Sequence, residues 1–444
     1  MTHSPPTTNP IGGAGGRRAA TQPALDTQLM ERVVDPKNVR RAWKRVQANH
    51  GAPGIDGLTV EETEAWLHEH WTTVRQSLLS GTYQPQPLRR KAIPKRSGGE
   101  RLLGIPVVVD RLLQKALQQV LTPIFDPQFS ERSFGSRPAR SAHGALRQVQ
   151  ADAKAGYRIA VDLDLEKFFD RVPHDTLMAR VARRVADKRV LSLLGRYLRA
   201  GVMVDGAVQA TPWGTPQGGP VSSLLANILL DDLDQELERR GHRFARYVDD
   251  ILIVVRSRRA AERVKASVTR YLTGVLRLAV NEEKSRIAKL DECVFLSFTF
   301  MGTRLRWSDE AYRDLRYQLR RFTGRSWGVS MGYRFHRLRL YLRGWMNYFG
   351  ISDFYRPVPE LDHWLRRRVR MCYWKQWRKT RTKVRMLLAL GVSRKEALMT
   401  ALSRKGYWHL AKTLATQVGM TNAWLQQQGL LSIRELWMKA HGYA

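Results

Sequence analysis

The sequence predicts a mixed α/β (α+β) body over residues 31–305, followed by an α-helical region. Three observations predict it. Ile159-Ala-Val-Asp-Leu-Asp-Leu165 alternates as a strand does, and Arg246-Tyr-Val-Asp-Asp-Ile-Leu-Ile-Val-Val255 is an apolar run interrupted by two acids, as two strands joined at a tight turn would be. Leu112, Leu113, Ala116, Leu117, Val120 and Leu121 recur at helical spacing within Asp110 to Phe125. From about Ala311 onward the periodicity stays helical and no β-branched run appears.

Residues 1–30 are rich in Thr, Pro, Gly and Ala and lack the apolar core of a secretory signal, so they read as a flexible tail. In the 159–165 strand, Ile159, Val161, Leu163 and Leu165 face one way and Asp162 and Asp164 the other. The second acidic pair, Asp249-Asp250, sits where the hairpin would turn. The two cysteines, Cys293 and Cys372, form no CxxC, which excludes a disulfide scaffold and a Cys-rich zinc module. No apolar run approaches the roughly 18 residues of a membrane span, so no membrane partner is expected.

The charge is the strongest compositional signal. Among 444 residues, 75 Lys plus Arg face 40 Asp plus Glu, a net charge of +35. Such a field attracts a polyanion, and nucleic acid is the first expectation. Residues 301–444 hold 29 Lys plus Arg against 8 Asp plus Glu, together with nine of the thirteen Trp. There Arg366, Arg367, Arg368, Arg370, Lys375, Arg378 and Lys379 interleave with Trp364, Tyr373, Trp374 and Trp377. The expectation is Trp in a helical core and cations on an RNA-facing surface.

In so basic a chain, carboxylates gathered on strands need a reason. Bringing Asp164, Asp249 and Asp250 together costs several kcal/mol unless a cation neutralises them. All-oxygen ligands suit hard divalent ions, and a pair of such ions supports in-line displacement at phosphorus.

Three segments occur in a telling order: Asp162-Leu-Asp-Leu-Glu-Lys-Phe-Phe-Asp170, Gly214-Thr-Pro-Gln-Gly-Gly-Pro220 and Tyr247-Val-Asp-Asp250. They resemble successive motifs of reverse transcriptases, specifically the group II intron-encoded reverse transcriptase/maturases of bacterial type that lack an HNH endonuclease domain. Gly51-Ala-Pro-Gly-Ile-Asp-Gly57, the stretch from Ile93 to Pro106, Ser133-Phe-Gly-Ser-Arg-Pro-Ala-Arg-Ser-Ala142 and Asn281-Glu-Glu-Lys284 resemble further motifs. Gly344-Trp-Met-Asn-Tyr348 and the Trp364 to Trp377 stretch resemble the maturase-specific region. Two positions depart from the family: Val248 stands where Ala is commoner, and Ser136 where Phe is commoner.

The resemblance implies a right-hand polymerase, with fingers and palm over 31–305 and a helical thumb or maturase domain over 306–395. Residues 396–444 form a short C-terminal region for which DNA binding is the expectation, although no motif marks it. Asp164, Asp249 and Asp250 would be the catalytic metal ligands, joined by the backbone carbonyl of Leu165. They would hold two Mg²⁺, with Mn²⁺ as a substitute. Lys95, Arg101, Phe169, Gln217 and Lys284 would contact the deoxynucleoside triphosphate, Phe169 by abutting the sugar where a 2′-hydroxyl would project. Implied partners are group II intron RNA, an RNA template with a DNA primer, target DNA and dNTPs, in the cytoplasm of a bacterium. The implied function is RNA-directed DNA synthesis, assistance to intron splicing, and copying of the inserted intron during retrohoming. Two alternatives stay open: a host-adopted reverse transcriptase in DNA repair or phage defence, and a splicing-only RNA-binding maturase.

Overall fold

The computed structural model describes residues 27–94, 100–204, 207–215 and 218–443, and of Arg101 the backbone alone. Of the expected tail 1–30, residues 1–26 lie outside the described residues, as do the expected nucleotide contacts Lys95 and Gln217 and the side chain of Arg101; Leu29 and Met30 do not belong to a tail but are buried at the start of helix Leu29–Val33. The described residues form two compact units, those within 1–124 and 177–212, and those within 125–176 and 213–444.

In the first unit the hairpin Leu88–Pro94 and Glu100–Ile105 joins Val202–Val204 and Ala207–Gln209 in one sheet. Helices Pro36–Gln47, Val60–Leu79 and Val108–Phe125 belong to the same unit. Thr59 starts the second of these with a capping box: its hydroxyl accepts from the Glu62 amide at 3.2 Å, and the Glu62 carboxylate accepts from the Thr59 amide at 2.9 Å. The expected helix at Asp110 begins two residues earlier, and Asp110 is buried as an acceptor for the Tyr83 and Tyr197 hydroxyls. Gly54 is held to glycine by contact, because a Cβ there would lie 2.5 Å from the Val107 Cα.

The second unit is built on a four-stranded antiparallel sheet in the order Arg243–Tyr247, Asp250–Val255, Ile159–Leu163, Arg286–Lys289. Ala145, Leu146 and Val149 of helix Ala142–Lys154 pack with Ala160, Ala245, Leu252 and Val254 of the sheet. Helix Arg258–Gly274 packs on the same central strands. Two expectations shift by a residue or two. The first palm strand ends at Leu163 rather than Leu165, and the hairpin turns at Val248-Asp249, so Asp250 already opens the second strand.

A two-stranded ribbon, Phe298–Met301 with Arg304–Trp307, leads into the helical region. Its core takes in Trp307, Trp345, Trp374, Trp377 and Trp437, as the placement of Trp in a helical interior requires. The same core includes Ala397, Ala401, Leu410, Met420, Leu425 and Ile433, so the last fifty or so residues pack onto the thumb helices. Asp362 fastens this closure: it accepts from the Ser432 hydroxyl and the Ile433 amide, both at 2.9 Å, and so caps helix Ile433–Ala440. Gln150 of the palm donates to the carbonyl of Thr303 and to Asp353, tying the palm to the ribbon and thumb. Cys293 and Cys372 are both buried free thiols. No helix among the described residues is long and apolar enough to cross a membrane.

Candidate active site

The sheet register brings the acids to one end of two neighbouring strands. Leu163 pairs with Ile251, and Tyr247 pairs with Asp250 across the hairpin. Continuing the first pairing by one residue sets Asp164 beside Asp250. Asp164 itself is fixed through its backbone: its amide donates to the Ser285 hydroxyl at 3.0 Å, and its carbonyl accepts from the Asn281 amide at 2.8 Å. Leu165 is buried and bridged to Val280. This explains why the Asn281-Glu-Glu-Lys284 segment belongs to the site: it is the wall against which the Asp164 turn is pinned.

The electrostatics match a hard-cation site. Desolvation, then the charges of Asp249, Asp162 and Asp164, push the Asp250 carboxyl up to about 6. Asp162 is raised as well, by burial first, with Arg286 at 3.7 Å opposing the rise and Asp164 adding to it. The Lys284 ammonium lies 3.7 Å from the Asp164 carboxylate, an exposed pair at the edge of the acids. Among the described residues no three His, Cys, Asp or Glu side chains are drawn together as a finished metal cage. The donors nonetheless fit a divalent ion: they are carboxylates only, and one is destabilised by its like-charged neighbours, a penalty a cation removes.

The turn is strained. Val248 adopts φ = +60°, a left-handed conformation that costs a β-branched residue about 1–2 kcal/mol. Gly135 leans on it so closely that a Cβ would lie 2.5 Å from the Val248 nitrogen and 2.6 Å from its Cγ2.

Phe169 is half-buried on a single helical turn, Phe168–Arg171, and meets Phe168 edge-on at 5.2 Å. The Gly214 loop clamps this turn from outside. The Thr215 amide donates to the Phe169 carbonyl at 2.6 Å, and a Cβ on Gly214 would lie 2.8 Å from that oxygen. Gly214 also has φ = +96°, so glycine is required twice over.

Of the residues expected to face RNA, Arg370 alone is buried. Arg370 is 5% exposed and donates to the Met420 carbonyl at 2.9 Å and to Asn422; burial lowers its guanidinium to about 10. It is an interior side chain, closed over by the returning C-terminal helices. Arg368 donates to the Thr323 hydroxyl and to the carbonyls of Arg320 and Thr323, capping the end of helix Asp309–Phe322. Arg367 stacks on Trp408 at 3.7 Å, and Arg366 pairs with Asp362 at 3.1 Å. Arg366, Arg367 and Arg368 keep part of their surface exposed beside these contacts. Arg378 and Lys379 are exposed. Lys375 lies 5.3 Å from the Tyr407 ring, which it shares with Arg325 at 5.1 Å and Lys383 at 5.7 Å. Arg325 and Lys383 complete this cluster of cations and were not singled out by the motifs; the basic and aromatic interleaving was their signal.

Residues 93–300 match the family described as reverse transcriptase (RNA-dependent DNA polymerase), and residues 312–388 match the group II intron maturase-specific domain. Protein YkfC of Escherichia coli strain K12 is 32% identical over 67% of this chain and 88% of its own length. The group II intron-encoded protein LtrA of Lactococcus lactis is 35% identical over 47% of this chain, but the match spans only 35% of that protein. A chain of a partial Cas6-RT-Cas1–Cas2 complex is 26% identical over 55% of this chain and 42% of its own, with a TM-score of 0.37. With the acids of the Tyr247-Val-Asp-Asp250 turn beside Asp164 on a four-stranded palm, and a Trp-cored thumb after it, the chain belongs to the group II intron-type reverse transcriptases, RNA-directed DNA polymerases that carry a maturase domain.

Proposed function

We propose that this chain extends a DNA primer on an RNA template at Asp164, Asp249 and Asp250, and that the RNA it serves is a group II intron. The observation that carries the catalytic part is the register that sets Asp164 beside Asp250 at the open end of the sheet. Asp164, Asp249 and the Leu165 carbonyl would hold two Mg²⁺, with Asp250 completing the set and Mn²⁺ serving as a substitute. When bound, the ions make the primer 3′-hydroxyl a better nucleophile and neutralise the departing pyrophosphate. The chain's own groups do the rest. Phe169, clamped by Thr215, stands against the sugar and excludes a 2′-hydroxyl. Lys284 lends positive charge beside Asp164, and the family resemblance gives Lys95 and Arg101 the contact with the triphosphate. The same resemblance gives Gln217 a contact with the template or the incoming base pair. Phe169→Ala is expected to raise ribonucleotide incorporation relative to deoxynucleotide by roughly tenfold or more. Single-nucleotide extension reads it, and unchanged discrimination would remove Phe169 from this role.

The thumb supplies the polyanion contact. Arg325, Lys375 and Lys383 converge on one Tyr407 ring, and among the described residues none has an acidic partner. Three cations left facing one another are relieved by a phosphate backbone. Exposed Arg378 and Lys379 extend the surface. Intron RNA held there would be steadied for splicing; target DNA receiving the spliced intron would then supply the primer for its copying, in the bacterial cytoplasm. Replacing Arg325, Lys375 and Lys383 by Ala together is expected to lower the log-affinity versus log-salt slope for intron RNA by about two. An unchanged slope would place the RNA surface elsewhere.

A further inference from the structure

Arg246 is a cation in the middle of the palm with no exposed surface, paired with an equally buried Asp234. All five of its N–H groups are used. Nε donates to Asp234 Oδ1 at 2.8 Å, and Nη2 donates to Asp234 Oδ2 at 2.5 Å and to the Ser133 hydroxyl at 2.8 Å. Nη1 donates to Asn227 Oδ1 at 2.8 Å and to the Val248 carbonyl at 2.9 Å. Asn227 in turn donates to the Gly135 carbonyl at 2.9 Å, and Gly135 is the residue pressed against Val248. The backbone of Arg246 is held too, with its amide on the Arg132 carbonyl and its carbonyl taking the Phe134 amide, both at 2.9 Å.

We infer that Arg246 is a positioning residue for polymerisation: through the Val248 carbonyl it ties the strained Asp249-Asp250 turn to Asp234, Asn227 and Ser133. A buried ion pair is not needed for stability, since apolar side chains of similar size serve a core as well. What an apolar pair cannot do is hold a carbonyl. Val248 stays left-handed only while something outside the turn over-determines it, and the contacts at hand are this guanidinium and Gly135. Releasing the carbonyl lets the turn relax and moves two carboxylates that must sit within a fraction of an ångström of their working positions. The loss therefore falls on the rate of nucleotide addition and leaves primer-template affinity alone.

The inference rests on Asp249 and Asp250 being the catalytic pair, and the experiment separates the two. The paired variant Arg246→Met with Asp234→Leu removes the tie without stranding a buried charge. In the full-length chain it is expected to melt cooperatively, to bind primer-template within twofold of the parent, and to lose about tenfold or more in kcat on an RNA template. Arg246→Lys, which keeps the charge opposite Asp234, is the second variant should the pair fail to fold. Each is then placed in a Val248→Gly background, where the left-handed φ is free of strain. There the same change at Arg246 is expected to cost a much smaller factor, because the tie has less to hold. A folded variant that keeps kcat within twofold overturns the inference, as does an equal loss in both backgrounds. If Asp249→Ala also retains activity, it is the assignment of the catalytic pair that has failed.

Discussion

Asp249→Ala is expected to abolish cDNA synthesis, lowering the rate by at least about a thousandfold, the scale on which preorganised charge stabilisation acts. The residue sits at the tip of the hairpin, between Val248 and the first residue of the strand Asp250–Val255. Its charge is one of three that raise Asp250. Removing it takes away a carboxylate and lowers that repulsion without touching the sheet, so the fold should survive. Intron-RNA affinity should stay within a few-fold, because the cation cluster at Tyr407 belongs to the thumb. Primer extension beside filter binding on one preparation reads both, and extension that persists would move the metal site away from this turn.

The second large effect concerns Arg370, and its sign separates composition from structure. Arg370→Ala is expected to destabilise the thumb by roughly 2–4 kcal/mol, from two stranded acceptors and the cavity left behind. The salt dependence of RNA binding should not change, since the side chain is buried on the Met420 carbonyl and Asn422. The triple variant at Arg325, Lys375 and Lys383 should do the reverse, changing the salt slope and hardly moving the melting temperature. A thermal melt beside a salt titration tells them apart. A melting temperature unaltered by Arg370→Ala, with a reduced salt slope, would return this arginine to the RNA surface.

Much of the architecture was legible in the chain because it rests on short-range pattern. Period-two alternation marked the strand Ile159–Leu163, an apolar run broken by two acids marked Asp250–Val255, and helical spacing marked the helix from Val108 and the whole thumb. The acids of the site stood out because charge inside an apolar strand run is costly. The turn was misplaced by one residue, since two adjacent acids suggest a tip at both, whereas pairing of Tyr247 with Asp250 puts Val248 there. The arginines of helix Pro357–Gln376 were read as one surface because they are consecutive. Successive helical positions point in different directions: Arg366 pairs with Asp362 one turn back on its own helix, while other segments lie on several sides, Trp408 beside Arg367, Thr323 beside Arg368, Met420 over Arg370. Arg246 was visible only as the start of a strand. Its partners Ser133, Asn227 and Asp234 come from separate segments, and no local spacing announces that they converge.

The most direct measurement uses the purified full-length chain, an RNA template annealed to a DNA primer, and dNTPs with Mg²⁺. Stepwise primer extension is expected that stops when the cation is chelated, resumes when it is restored, and fails with ribonucleotides alone. A chain that binds the annealed template-primer tightly yet adds no deoxynucleotide under any divalent cation would contradict it.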